Sequence, residues 1–228
     1  MQLQDMNWMD VQRYLETDNR IILVTGATEQ HAYLSLLTDV LIPSHLANAA
    51  ARREGVLIAP PLNFGLSRHF LDYPGTISLT QETFDAVLIE IVHSLMTHGF
   101  ARFFICNGHG GNYMPEALKE LHFSGDVSFV WYNWWRSPSV GAFEKKYGLR
   151  LLHANWGENF PFTRVVPTPV DGKEEVPHEV FMEAENVRDV LGDGSFGGPY
   201  TIDDDRMKEL FDLVVDEMVM MLRQLRNS

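Results

Sequence analysis

Glu29, His31 and Asp39 fall within one short stretch, straight after the apolar run Ile21-Ile22-Leu23-Val24-Thr25-Gly26. Carboxylate and imidazole delivered together are what a hydrolytic divalent-metal centre requires. Imidazole suits zinc or iron, and carboxylate suits manganese or magnesium. Glu29 and His31 are two positions apart, so an extended backbone points both side chains the same way. Asp39 stands where the next helix should begin. A helix N-cap is its alternative reading, with Thr38 competing for the job. A second cluster, Asn107-Gly108-His109-Gly110-Gly111-Asn112, follows another apolar run, Phe103-Phe104-Ile105-Cys106. Its three glycines let the backbone approach a ligand closely. They do not fit a G-x-G-x-x-G dinucleotide loop, and no Lys-Ser/Thr pair completes a phosphate-binding loop. A metal ligand is the better account of His109. In the third cluster, His153-Ala154-Asn155-Trp156-Gly157-Glu158, His153 and Glu158 offer one further ligand and one proton-transfer group. Taken singly, each reads as no more than an exposed loop with a cap.

These residues need a scaffold that brings strand ends together. Short β-rich runs ending in glycine and polar residues predict buried parallel strands that open into loops. The carboxyl ends of such strands are where open α/β sheets place their chemistry. The pattern predicts strands over 21–25, 56–59, 102–106 and 127–132. Helices are predicted over 5–16, 40–54, 81–98, 113–122, 138–147, 176–190 and 204–226. Gly55 is placed to stop the second helix and Thr80 to start the third. The aperiodic stretch 63–79 reads as a long loop of the kind that is usually functional. Strands alternating with helices predict a parallel α/β sheet covered on both faces, in one domain spanning 1–228.

The formal net charge is −13, from 31 acidic against 18 basic residues, which argues against nucleic acid and against an anionic membrane surface as partners. No apolar run approaches the ~20 residues that span a bilayer, and the start of the chain lacks a signal-peptide layout. Cys106 is the single cysteine, which excludes an internal disulfide and fits a reducing, cytoplasmic setting. It sits in an apolar strand and reads as an inert buried thiol. Among the aromatic residues Trp131, Tyr132, Trp134, Trp135 and Trp156, most should pack a core or an oligomer interface. Trp156, beside His153 and Glu158, is the candidate to line a flat, small-amide pocket.

Three ordered motifs resemble the creatininase (creatinine amidohydrolase) family. They are Gly26-Ala27-Thr28-Glu29-Gln30-His31 with Thr38-Asp39, then Phe64-Gly65-Leu66-Ser67-Arg68-His69 with Pro74-Gly75-Thr76-Ile77-Ser78-Leu79, then Asn107 to Asn112. The resemblance implies a three-layer α/β/α sandwich with a mostly parallel central sheet. It also implies one or two divalent ions (zinc, manganese or iron), a small-molecule amide substrate and a homo-oligomer, commonly a hexamer. Carried over by position, Glu29, His31, Asp39 and His109 match metal ligands, with Asp39 as the bridge. His153 matches an acid/base group, and Glu158 matches a glutamate that is a plausible fifth ligand. His69 matches a residue near the site and is read as contacting substrate. Creatininase itself carries Tyr-Glu where this chain has Gly110-Gly111. That glutamate is a ligand there, so the role shifts to Glu158 and creatinine is not the expected substrate. The implied activity is metal-dependent hydrolysis of a C–N bond in a small cyclic amide or formamide. A single-metal site with Glu158 as base, and an inactive binding or assembly protein on the same fold, are the rivals.

Overall fold

Four short strands form one parallel sheet: β1 (Arg20–Thr25), β2 (Leu57–Ile58), β3 (Arg102–Asn107) and β4 (Ser128–Asn133), in the spatial order β2-β1-β3-β4. The structure, a computed structural model, describes residues 1–227. The register sets Thr25 beside Asn107 and Asn107 beside Asn133, so β1, β3 and β4 end level.

Alternation along each strand divides the core into two layers. Ile22, Val24, Phe104, Cys106 and Tyr132 face helices α2 (Thr38–Glu54), α5 (Pro138–Tyr147) and α8 (Asp204–Arg226). Ile21, Leu23, Phe103, Ile105 and Phe129 face α1 (Trp8–Leu15), α3 (Gln81–Met96) and α4 (Glu116–Ser124). This is the α/β/α sandwich read from the sequence. A third, smaller apolar cluster joins Phe70 and Tyr73 to α6 (His178–Glu183) and α7 (Val187–Leu191). No helix among the described residues is long and apolar enough to cross a membrane.

The departures from the predicted elements have local causes. Asn7 and Asp10 form a reciprocal capping box, so α1 starts at Trp8 and residues 3–5 make a separate 3₁₀ turn. Pro115 caps α4 and delays it to Glu116. The predicted helix 176–190 breaks in two, because Ala184 is extended and the Asn186 side chain caps a new start at α7. The loop 63–79 holds a 3₁₀ turn at Arg68–Phe70, and the Thr28–Ile77 bridge pins it to the loop after β1. Helix α2 begins at Thr38, which puts Asp39 inside its first turn. Asp39 is therefore no N-cap; its side chain is buried and turned to two histidines.

The chain runs from β1 outward to β2 and then crosses to β3 on the other side of β1. The loops after β1 and β3 thus diverge at the switch point of the sheet, where a crevice opens. They carry Glu29 with His31, and His109, respectively.

Candidate metal centre

A ladder of amides and hydroxyls at the strand ends holds the two loops in place. Thr25 Oγ1 donates to Asn107 Oδ1 (3.0 Å), and Asn107 Nδ2 donates to Asn133 Oδ1 and to the His109 carbonyl (2.8 Å each). Asn112 Nδ2 reaches the Gly26 carbonyl at 3.1 Å, and its Oδ1 accepts the Leu66 N–H at 3.2 Å. Glycine is required where these loops meet α2. A Cβ on Gly26 or Gly108 would run into the Asp39 carbonyl, which Pro43 leaves without its usual helical donor. A Cβ on Gly111 would strike the Leu66 carbonyl and the His109 ring. No side chain fits at Gly111 in this backbone, so no glutamate could serve as a ligand there.

Around Asp39 the acidic and imidazole groups converge into two triplets that share it: Glu29–Asp39–His109 and His31–Asp39–Glu158. In each, the donor atoms lie within 4.8 Å of one another, and all five residues are buried. Asp39 Oδ2 is 2.8 Å from His109 Nδ1, and Oδ1 is 3.0 Å from His31 Nε2. Glu29 Oε2 lies 3.7 Å from His109 Nε2, and Glu158 Oε2 lies 3.8 Å from His31 Nε2. His153 and Glu158 therefore both lie within reach of the other donor residues. His153 completes a third grouping with Glu29 and His31, its Nδ1 lying 3.8 Å from Glu29 Oε1.

The residues fit a divalent cation. Glu29 Oε2 and His31 Nε2 are buried with no hydrogen-bond partner among the described residues, although such atoms are normally satisfied. His31 Nδ1 donates to the Glu29 carbonyl at 3.0 Å, which leaves Nε2 bare toward Asp39. His109 Nε2 donates to the Leu66 carbonyl at 3.0 Å, which leaves Nδ1 toward Asp39. A ligand imidazole held from behind by a carbonyl is the usual outer-shell arrangement at metal sites.

Electrostatics agree. Burial opposes the charge on His31, but Asp39 and Glu158 outweigh it and lift the ring to about 10. His109 is lifted to about 9 against the same burial, by Glu29 and Asp39. Burial likewise opposes the Asp39 carboxylate, yet the two histidines hold it well below the usual range. Glu158 is pushed up to about 7 by burial, and Glu29 is also raised by it. The histidines thus act as stand-in cations for a cluster with three buried carboxylates. His153 differs: burial and the neighbouring His31 hold it well below its ordinary value.

A cavity of about 1260 Å³ opens above the cluster, lined in part by His69, Phe70, Trp135, Arg150, Phe181 and Phe196. His69 is exposed there, 5.7 Å from Phe181. Trp156 is a correction. It is fully buried, stacks 5.8 Å from Phe143 and donates Nε1–H to the Arg150 carbonyl at 2.9 Å. It braces the backbone before His153 and does not line the cavity. Cys106 is buried, and burial raises its thiol, as an inert cysteine requires. Sequence reasoning gave no role to Gln30, Ser67, Phe70 or Phe196. Ser67 Oγ lies 3.4 Å from His109 Nε2, while Phe70 and Phe196 flank the His153 ring at 4.8 and 5.2 Å. Ser67 was visible inside a quoted motif, but the two phenylalanines had no periodic signal.

Comparison with known proteins gives a consistent answer. The sequence profile described as creatininase, creatinine amidohydrolase, matches residues 4–222. A creatinine amidohydrolase of Pseudomonas putida is 31% identical over 157 residues, 60% of this chain and 59% of that protein. A mycofactocin precursor peptide peptidase of Mycobacterium ulcerans (strain Agy99) is 36% identical over 109 residues, 43% of this chain and 42% of that protein. The matched stretches thus span less than two thirds of either relative. A crystal structure of creatinine amidohydrolase (creatininase) superposes with a TM-score of 0.80 at 22% identity, over 100% of this chain and 98% of that one. A structure described as creatininase with Mn gives 0.79 at 23% identity, over 100% and 99%. The structures share the fold, and the profile runs through every strand and loop that builds the centre: the chain belongs to the creatininase family.

Proposed function

We propose that this protein is a metal-dependent amidohydrolase that cleaves a C–N bond in a small cyclic amide or formamide. The observation that carries the reading is the pair of buried donor triplets hinged on Asp39. Glu29, Asp39 and His109 would hold one divalent ion, and His31, Asp39 and Glu158 the other. Zinc, manganese and iron all suit this mixed oxygen–nitrogen set. Bound there, such ions supply Lewis acidity that polarises the amide carbonyl and lowers the pKa of water toward ~7.

The chain's own residues do the rest. Asp39 spans the two halves of the site and fixes their separation. The carbonyls of Glu29 and Leu66 orient the two ligand imidazoles. His153 Nδ1 lies 3.8 Å from Glu29 Oε1, and the ring packs against Phe70 and Phe196. It would pass its Nδ1 proton to the departing nitrogen, the step amide cleavage most needs because an amide anion is a poor leaving group, and the proton released by the attacking water would restore it. His69 and the aromatic wall of Phe181 would meet the substrate's outer part.

A second reading concerns substrate size. The cavity exceeds the ~300–1,000 Å³ usual for small-molecule sites. Arg150 and Glu175 form an ion pair on its rim, and one relative is named for a peptide. A peptide amide is therefore the alternative substrate. The soluble, cytoplasmic setting read from composition and the hexamer implied by the resemblance belong to the same proposal. The test is to strip metal with chelator, restore zinc or manganese, and assay cyclic amides, formamides and short peptides. Metal-restored hydrolysis of any of these supports the reading. Bound metal with no turnover on all three leaves the inactive-binder reading in its place.

A further inference from the structure

Each of the three histidines at the centre has one ring nitrogen tied from behind, but the ties are of two kinds. His31 and His109 each donate to a backbone carbonyl, so their inner nitrogens are the ones free to offer a lone pair to an ion. His153 Nε2 instead lies 2.8 Å from Gln30 Nε2, an amide nitrogen. The orientation of that amide is fixed by its other contacts. Gln30 Oε1 accepts the Ala32 N–H at 3.1 Å, and Gln30 Nε2 donates to the Gly194 carbonyl at 3.0 Å. A flipped amide would set oxygen against oxygen at Gly194 and N–H against N–H at Ala32. Gln30 therefore donates to His153 Nε2. The proton of the ring then sits on Nδ1, which faces Glu29 Oε1.

We infer that Gln30 is a positioning residue that fixes His153 in its Nδ1–H form, making this third histidine a proton donor and barring it from the ligand set. The clamp is built into the fold. Gln30 is 5% exposed, and its carbonyl end holds Ala32 at a positive φ of 49°, a strained value for alanine. A Cβ on Gly194 would run into the Gln30 amide, so the chain keeps glycine there. Glu29, Gln30 and His31 thus serve one centre in succession, as ligand, clamp and ligand. The inference rests on the proposed amide hydrolysis only for its catalytic consequence; the tautomer itself is independent of any activity.

The test uses zinc-loaded protein with ¹⁵N-labelled histidine, the His153 signals being identified by their loss in His153→Ala. A protonated Nδ1 and a bare Nε2 are expected for His153, opposite to His109. Gln30→Glu replaces the donor with an acceptor and should place a proton on Nε2, which the wild-type ring lacks. Gly194→Ala, which displaces the amide without changing it, should leave His153 exchanging between the two forms. On a matched pair of anilides, Gln30→Glu should change the ratio of the two rates at least tenfold. A wild-type His153 with its proton on Nε2, or a zinc-bound Nδ1, overturns the inference whether or not the protein hydrolyses amides. A Gln30→Glu variant with an unchanged tautomer and equal losses on both anilides also overturns it. Correct tautomers with no hydrolysis by the parent protein would leave the clamp standing and refute only the proposed reaction.

Discussion

Asp39→Asn is the substitution to which the centre should be most sensitive. The amide is isosteric, so packing survives, but one oxygen becomes a donor. At present Oδ1 faces His31 Nε2 at 3.0 Å and Oδ2 faces His109 Nδ1 at 2.8 Å. An Asn can serve one of these nitrogens with its oxygen and must present N–H to the other. Removing one partner of a buried ion pair costs about 3–5 kcal/mol. In the metal-free protein at neutral pH both histidines are charged, since their values stand at about 10 and about 9. Each can shed its proton and so escape part of the penalty, which favours the low end, about 3 kcal/mol. For a domain of this size that is a fall in Tm of roughly 6–12 °C at 2–4 °C per kcal/mol. Calorimetry on chelated protein at pH 7 measures it. Elemental analysis of the loaded variant should show both ions lost, because both triplets include Asp39. A variant that kept full metal content with an unchanged metal-free Tm would refute the shared-carboxylate reasoning.

Metal uptake should expel protons, because His31 and His109 must become neutral to bind. Calorimetry at pH 7 in buffers of different ionisation heat should give about two to three protons per fully loaded chain, the fraction above two coming from Glu158 at about 7. The same raised histidines stabilise the metal-free protein fully below ~6.5, the unfolded value. That stability is lost as pH rises through 9 and 10, so chelated protein should melt lower at pH 10 than at pH 7. Gly111→Ala should cost about 1–3 kcal/mol by overpacking and weaken metal binding, since its Cβ meets the His109 ring; Gly110→Ala, with only Trp135 at 3.9 Å, should be silent in both assays. His153→Ala should keep the metal and slow amide turnover by ~10²–10⁴; loss of metal equal to that in His109→Ala would make His153 a ligand.

The fold was legible because strands buried on both faces read as short apolar runs and helix ends carry recognisable caps. Gly55 and Thr80 stop and start their helices as their types suggest. The break at Ala184–Asn186 was not legible, since the apolar residues on both sides continue a helical rhythm that only the Asn186 cap interrupts. At the site, Glu29, His31, Asp39 and His109 could be found because ligand types sit at strand ends. Trp156 was misplaced because its neighbours His153 and Glu158 face the centre, whereas a 3₁₀ turn at Trp156–Glu158 rotates the indole into the core. Gln30 was hidden by the alternation that revealed Glu29 and His31: position 30 should point away from them. In the fold His153 and Gly194 arrive from far along the chain to meet it.

The central claim is that one buried carboxylate joins two metal positions. Crystals of manganese-loaded protein, measured for anomalous scattering, test it most directly. Two peaks are expected, both touching Asp39, one completed by Glu29 and His109 and the other by His31 and Glu158. No peak at Asp39, or a peak held by His153 Nδ1 in place of Glu158, would contradict it.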